Sequence, residues 1–288
     1  MDYLYLIITV IAYAMTSVCG KFYNLKNIGE NDPVPAYNFL LLATIFVGWG
    51  ILYAFDFSFD VSVLPYAISF ALLYICSFLG TIYALKSGSA ALTSLLIGFS
   101  LILTTVWGLI FWNAEVNAEI ISGLLLAVVS ASLCLLKPED AKKKASPKWF
   151  IFVVTAMIGN AGCQIIQRTQ QTAFNGLHGE MLMTVASFIS FAVFLVLYLV
   201  KRRRDTEPFP KKTAYLPVLS GVCNVSMNFF VILLATGELS PSLVYPAICV
   251  GGLMVVMLFS LAVFKEKLRW YQWAGIVIGI AATLLLSL

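Results

Sequence analysis

Along the whole chain, apolar stretches alternate with short polar breaks. Ten apolar runs can be laid out, at 3–22, 35–55, 62–85, 89–112, 118–136, 149–170, 179–200, 214–236, 240–264 and 270–288. About twenty mostly apolar residues are enough to cross hydrocarbon as a helix, so each run predicts a membrane-spanning α-helix. The breaks carry charge or turn chemistry, as at Glu30-Asn31-Asp32-Pro33, Lys86-Ser87-Gly88, Lys137 to Lys148 and Lys265 to Arg269. Boundaries are least marked within 62–112 and 240–288. The fold class that follows is an all-α integral membrane protein of ten transmembrane helices.

Composition excludes a soluble alternative. Hydrophobic residues make up 61% of the chain and charged ones 11%, against roughly a quarter charged in a soluble domain. Mean hydropathy is +0.93. Lipid must solvate most of that surface. The first run opens on Met1-Asp2-Tyr3 without a basic stretch and continues to spanning length, so it is expected to stay as a helix and not to be removed as a signal peptide.

The placement of positive charge gives an orientation. Every Lys and Arg except Arg168 falls in or beside the loops that follow runs 1, 3, 5, 7 and 9. Cytoplasmic loops retain Lys and Arg, so those loops are expected in the cytoplasm and both termini outside the cell membrane. The net charge of +4 is therefore a topology signal, and no nucleic-acid partner is expected.

An internal echo divides the chain. Ser89-Ala90, Leu92 and Glu115 recur 151 residues later as Ser240-Pro241, Leu243 and Glu266, and at 152 residues Gly123 falls on Gly275. Two five-helix repeats, 1–144 and 145–288, follow from it. Five is odd, so the second repeat enters the membrane from the opposite side and the two are inverted. Inverted repeats around a shared central cavity are a recurrent transporter design, in which one half rocks on the other.

The segment from Glu266 to Gly275, Lys-Glu-Lys-Leu-Arg-Trp-Tyr-Gln-Trp-Ala-Gly when counted from Lys265, resembles the signature before the last helix of EamA-type permeases. These are ten-helix members of the drug/metabolite transporter superfamily. Ala84 to Ala90 and Ala235 to Pro241 resemble that family's turns between helices 3 and 4 and between helices 8 and 9. The first-half copy, Glu115 to Gly123, is one residue shorter. The resemblance implies membrane transport, with a cavity lined mainly by helices 1, 3, 4, 6, 8 and 9 and with helices 5 and 10 packed outside it.

Candidate site residues are polar or aromatic groups inside the runs. Polar side chains in hydrocarbon are costly, so those that persist face a cavity or a neighbouring helix. Asn160 and Gln164, Asn224 and Asn228, and Tyr13 and Ser17 are pairs one turn apart on a single face. Amides donate and accept, so they suit a carboxylate, ammonium, hydroxyl or amide on a solute. Hydrogen bonding between packed helices is the competing explanation. Tyr74, Trp107 and Tyr245 offer ring faces for an amine, or simply packing. Tyr245-Pro246 predicts a helix break of the kind that faces a midplane site. Trp49, Trp112, Trp149, Trp270 and Trp273 stand near run ends and are expected as interfacial anchors. Lys21 and Lys86 are expected to snorkel, whereas Arg168, which breaks the charge rule, is a candidate outer gate.

What is missing also informs. No Asp, Glu, Lys or Arg lies in the middle third of any run, which argues against proton antiport through a buried carboxylate. The six cysteines have no CxxC spacing, and no metal or other cofactor is expected. The single histidine, His178, sits in a break and no catalytic motif accompanies it, so an enzyme is not expected. The expected function is transport of a small polar organic solute, such as an amino acid, a polar metabolite or a small amine like choline. The protein would act in the lipid bilayer as a monomer or a homodimer. The alternatives are a drug or metabolite exporter working by antiport, or a non-transport membrane protein such as a lipid flippase or an assembly partner.

Overall fold

The computed structural model describes residues 2–27, 34–55, 57–111, 118–135, 147–204, 211–235 and 241–286. Among these residues there is helix and no strand. The α-helices are α1 (Asp2–Lys26), α2 (Val34–Phe55), α3 (Leu64–Ser87), α4 (Ala90–Gly98), α5 (Ser100–Phe111), α6 (Ala118–Leu135), α7 (Pro147–Ala173), α8 (Gly179–Arg204), α9 (Tyr215–Ala235), α10 (Pro241–Ala262) and α11 (Trp270–Leu286). Seven helical segments are long and apolar enough to cross a membrane. They lie on α1, α2, α3, α4 running into α5, α7, α8 and α9, while α6, α10 and α11 contain shorter apolar stretches.

Caps and turns explain several boundaries. Ser89 caps α4 by accepting from the Leu92 amide, and Pro65 opens α3, where a missing N–H does no harm. Asp60 caps the short 3₁₀ turn at Val61–Val63 through a 2.8 Å bond from the Ser62 amide to its Oδ1. That bond holds the Asp60 carboxyl below its usual range. Across the turn between α7 and α8, His178 adopts φ +62°, and its Nδ1 lies 2.9 Å from Ser58 Oγ.

The extensive helix pairings are α3 on α7, α6 on α11, α1 on α9 and α2 on α8, with α1 on α10, α2 on α9 and α3 on α8 behind them. Lipid offers no hydrophobic drive between helices, so association depends on close packing of small residues. The α3–α7 crossing shows how close. A methyl placed on Gly80 would lie 2.6 Å from the Ala156 amide nitrogen, and one on Gly159 would lie 2.6 Å from that of Ser77. Each glycine admits the other helix's backbone. On α11, Gly279 faces Ser130 and Leu95, and Ser130 Oγ donates to the Gly275 carbonyl at 2.6 Å. The Gly275…Gly279 spacing thus serves the α6–α11 pairing. Large apolar side chains cover the outside, with Ile7 and Ile11 one turn apart on α1 and Val47 and Ile51 on α2.

Three sequence expectations change. Trp49 and Trp149 are not interfacial anchors: they are 1% and 4% exposed, and Trp149 Nε1 donates to Thr93 Oγ1 at 3.0 Å. Trp270 is exposed and Trp273 just over a third exposed, and Trp112 lies outside the described residues. Lys21 does not snorkel; it is buried, with its Nζ 3.3 Å from Glu266 Oε1. The expected break at Tyr245-Pro246 is not an interruption, because α10 runs on through Pro246. The interruption falls instead at Phe99, between α4 and α5. Cys19, Cys76, Cys163 and Cys223 are free thiols.

Candidate functional site

Two adjoining chambers lie among α1, α3, α7 and α9. The larger holds about 420 Å³ and reaches Gln167 on α7 and Val231 on α9. The smaller holds about 160 Å³ and reaches Gly20 on α1 and Leu85 on α3. Both are lined by Tyr13, Tyr74, Asn160, Asn224 and Met227, so these residues stand where the chambers meet. The interrupted helix contributes at its break: Gly98 and Ser100 line the larger chamber, one residue either side of Phe99.

Hydrogen bonds hold the amides in place. Asn160 Nδ2 donates to Ser100 Oγ at 2.9 Å, and Thr104 Oγ1 donates to Gln164 Oε1 at 3.0 Å. Both join α7 to α5. Opposite them, Tyr74 Oη donates to Asn224 Oδ1 at 3.1 Å, and Asn228 Nδ2 donates to the Asn224 carbonyl at 2.8 Å. In the smaller chamber, Ser94 Oγ donates to Ser17 Oγ at 3.1 Å. An amide has two donor hydrogens and an accepting oxygen, so these bonds use part of its capacity and orient the rest. Interhelical bonding and solute binding are thus open to the same side chains.

Of the predicted site residues, Tyr13, Ser17, Tyr74, Asn160, Gln164, Asn224 and Asn228 all line one chamber or both. They come from four helices far apart in sequence. Trp107 is not among the lining residues; it is 39% exposed and packs on Phe111 with ring centroids 4.1 Å apart. The side chain of Tyr245 lies outside the described residues. Arg168 is exposed one turn beyond Gln164 on α7, outside the lining set.

Other lining residues were not predicted. Ser100 on α5 lines the larger chamber, and Thr104, one turn further along and outside the lining set, bonds the lining Gln164. Their spacing is one that the same polar-pair rule would have found. Asn38 on α2 lines the smaller chamber, is fully buried, and has neither amide atom hydrogen-bonded among the described residues. It lay too near the start of its run to stand out. Among the described residues, no Asp, Glu, Lys, Arg or His lines either chamber.

An all-helical, strongly apolar chain that packs polar amides around an internal chamber is a multi-pass membrane protein of the transporter kind. The chain belongs to the EamA-like transporter family, whose sequence profile matches residues 144–288. The family consists of membrane transporters of the drug/metabolite type. A solved structure titled "Crystal structure of protein" is similar in fold, with a TM-score of 0.60 at 12% identity, over 99% of this chain and 95% of the other. No curated protein matches the chain.

Proposed function

We propose that the protein carries a small polar organic solute across the cell membrane by alternating access, binding it where the two chambers meet. The observation that supports this most is the lining: amides, hydroxyls and tyrosines with no ionisable Asp, Glu, Lys, Arg or His among the described residues. A solute with a net charge would have to lose hydration there without a counter-ion, which is costly in a low-dielectric site. A zwitterion, a polar neutral metabolite, or an amine held over a tyrosine face suits the lining better. An amino acid or a choline-like amine falls within that range. Without a carboxylate in the chambers, facilitated diffusion or solute exchange fits better than proton antiport.

The helix pairings support ten spans in two inverted halves, 1–144 and 145–288. With α4 and α5 taken as the two parts of span four, exchanging the halves turns the α3–α7 pairing into the α1–α9 pairing. The same exchange returns α2–α8 and α6–α11 to themselves. A helix interrupted beside the cavity is also a common feature of carriers, since it frees backbone groups for a solute. In the orientation given by the charges, the α10–α11 turn is cytoplasmic, both termini are outside, and Arg168 stands at the outer end as a gate or anion contact. The carrier would work in the bilayer as a monomer or a homodimer.

Purified protein in liposomes, offered labelled amino acids, choline-like amines and neutral polar metabolites, tests the proposal. Saturable uptake of one class, competed by its unlabelled form, is expected. Protein-independent leakage for every class would overturn it.

A further inference from the structure

Beside the smaller chamber, next to its lining residues Gly20 and Leu85, lies a buried knot of charge that lines neither chamber. Glu266, in the turn between α10 and α11, reaches back to the start of α4. Its carboxylate accepts from Ser89 Oγ at 2.7 Å and from the Ala90 amide at 3.0 and 3.1 Å. It also accepts from Ser260 Oγ on α10. Lys21 on α1 completes the knot, with its Nζ 3.3 Å from Glu266 Oε1 and donating to the carbonyls of Leu85, at 3.2 Å, and Gly88. The side chains of Lys21 and Glu266 are 11% and 13% exposed. One ion pair therefore ties α1, the end of α3, the start of α4, and α10. Gly20 and Leu85, which line the chamber, adjoin it directly.

Two physical features make this a fastening and not ordinary packing. The carboxylate sits on the free amides and positive dipole end of α4, and the ammonium sits on the accepting carbonyls at the end of α3, so both charges are matched where they lie. Breaking the pair would leave two buried charges without their partners, which makes the arrangement two-state: made or fully broken and rehydrated. We infer that Lys21 and Glu266 are positioning residues of the transport cycle, holding the α10–α11 end of the cavity shut in this conformation and parting when that end opens. The inference rests on the transporter reading above.

The test reads sidedness and needs no identified solute. Ser94→Cys, in the smaller chamber, is labelled with a membrane-impermeant maleimide from either face of sealed vesicles. Its labelling is scored against the same protein without that substitution, because native cysteines are present. With Glu266→Gln, labelling from the face that carries the α10–α11 turn is expected to rise roughly tenfold, within the ordinary range of conformational coupling, with labelling from the other face unchanged or lower. Lys21→Met removes the ion pair but leaves Glu266 on α4, and should give the same sided change. It stands in if Glu266→Gln does not fold. Equal labelling from the two faces in both variants would overturn the inference, as would no change in a monodisperse variant. A sided change in a protein that moves no solute would leave the fastening standing and overturn the transporter proposal instead.

Discussion

Gly159 and Asn160 are neighbours on α7, yet they serve opposite regions of the molecule. Gly159 presses against the backbone of α3, where a methyl would already collide with the Ser77 amide. Asn160 turns to the junction of the chambers and bonds Ser100. One face is closed to a single atom; the other encloses open volume held by a few polar bonds. A carrier needs both, because a polar site can be exposed alternately only if the helices that hold it move as rigid bodies.

If the two faces differ as described, substitutions should separate stability from transport. The largest effect is expected at Gly80→Leu or Gly159→Leu, which would force α3 and α7 apart. Overpacking costs about 1–3 kcal/mol even where side chains can yield, and here the obstacle is backbone. Loss of a monodisperse peak on size-exclusion chromatography is expected, and a normal peak with an unchanged melting temperature would refute the close crossing. Next come Asn160→Ala and Asn224→Ala. Each removes a membrane hydrogen bond of roughly 0.6 kcal/mol, so the protein should remain folded while uptake falls by roughly tenfold or more, the effect of losing about 1.4 kcal/mol of solute binding. Equal losses of stability and transport would make these amides interhelical ties only.

The α6–α11 pairing should show the reverse. Ser130→Ala, which deletes the bond to Gly275, should lower the melting temperature slightly and leave uptake unchanged. The smallest effect belongs to Asp60, outside the membrane spans. Its carboxyl is held below the ordinary Asp range by the Ser62 amide, so its stabilising contribution is complete above that ordinary range. That contribution is lost as pH falls through the lowered value. Asp60→Asn should therefore flatten the acid limb of the stability curve slightly, and an identical limb would remove the cap from the account.

How much was legible in the sequence follows from the physics of each region. Run length and charge placement respond to the bilayer itself, so an all-helical membrane chain could be read directly. The amide pairs were legible because Asn160 and Gln164 stand one turn apart in an otherwise apolar run, and the cost of burying them is independent of their neighbours. Trp149 and Lys21 were misread because position along a run says nothing about which side faces protein. Trp149 is buried through its bond to Thr93, 56 residues away in sequence, and Lys21 through Glu266 in the other half of the chain. The break at Phe99 was hidden for a similar reason. No proline marks it, whereas Pro246, the expected breaker, is accommodated within α10.

The central claim is that the junction of the chambers binds the solute. The most direct measurement is a thermal-shift titration of purified protein with amino acids, choline-like amines and neutral polar metabolites, run on the native chain and on Asn160→Ala and Asn224→Ala. A ligand raises the melting temperature of the state that binds it. One solute class is expected to raise that of the native protein progressively with the logarithm of its concentration, with the shift abolished or displaced at least roughly tenfold in concentration in each variant. A shift that persists undiminished in both folded variants would place the solute elsewhere and contradict the account.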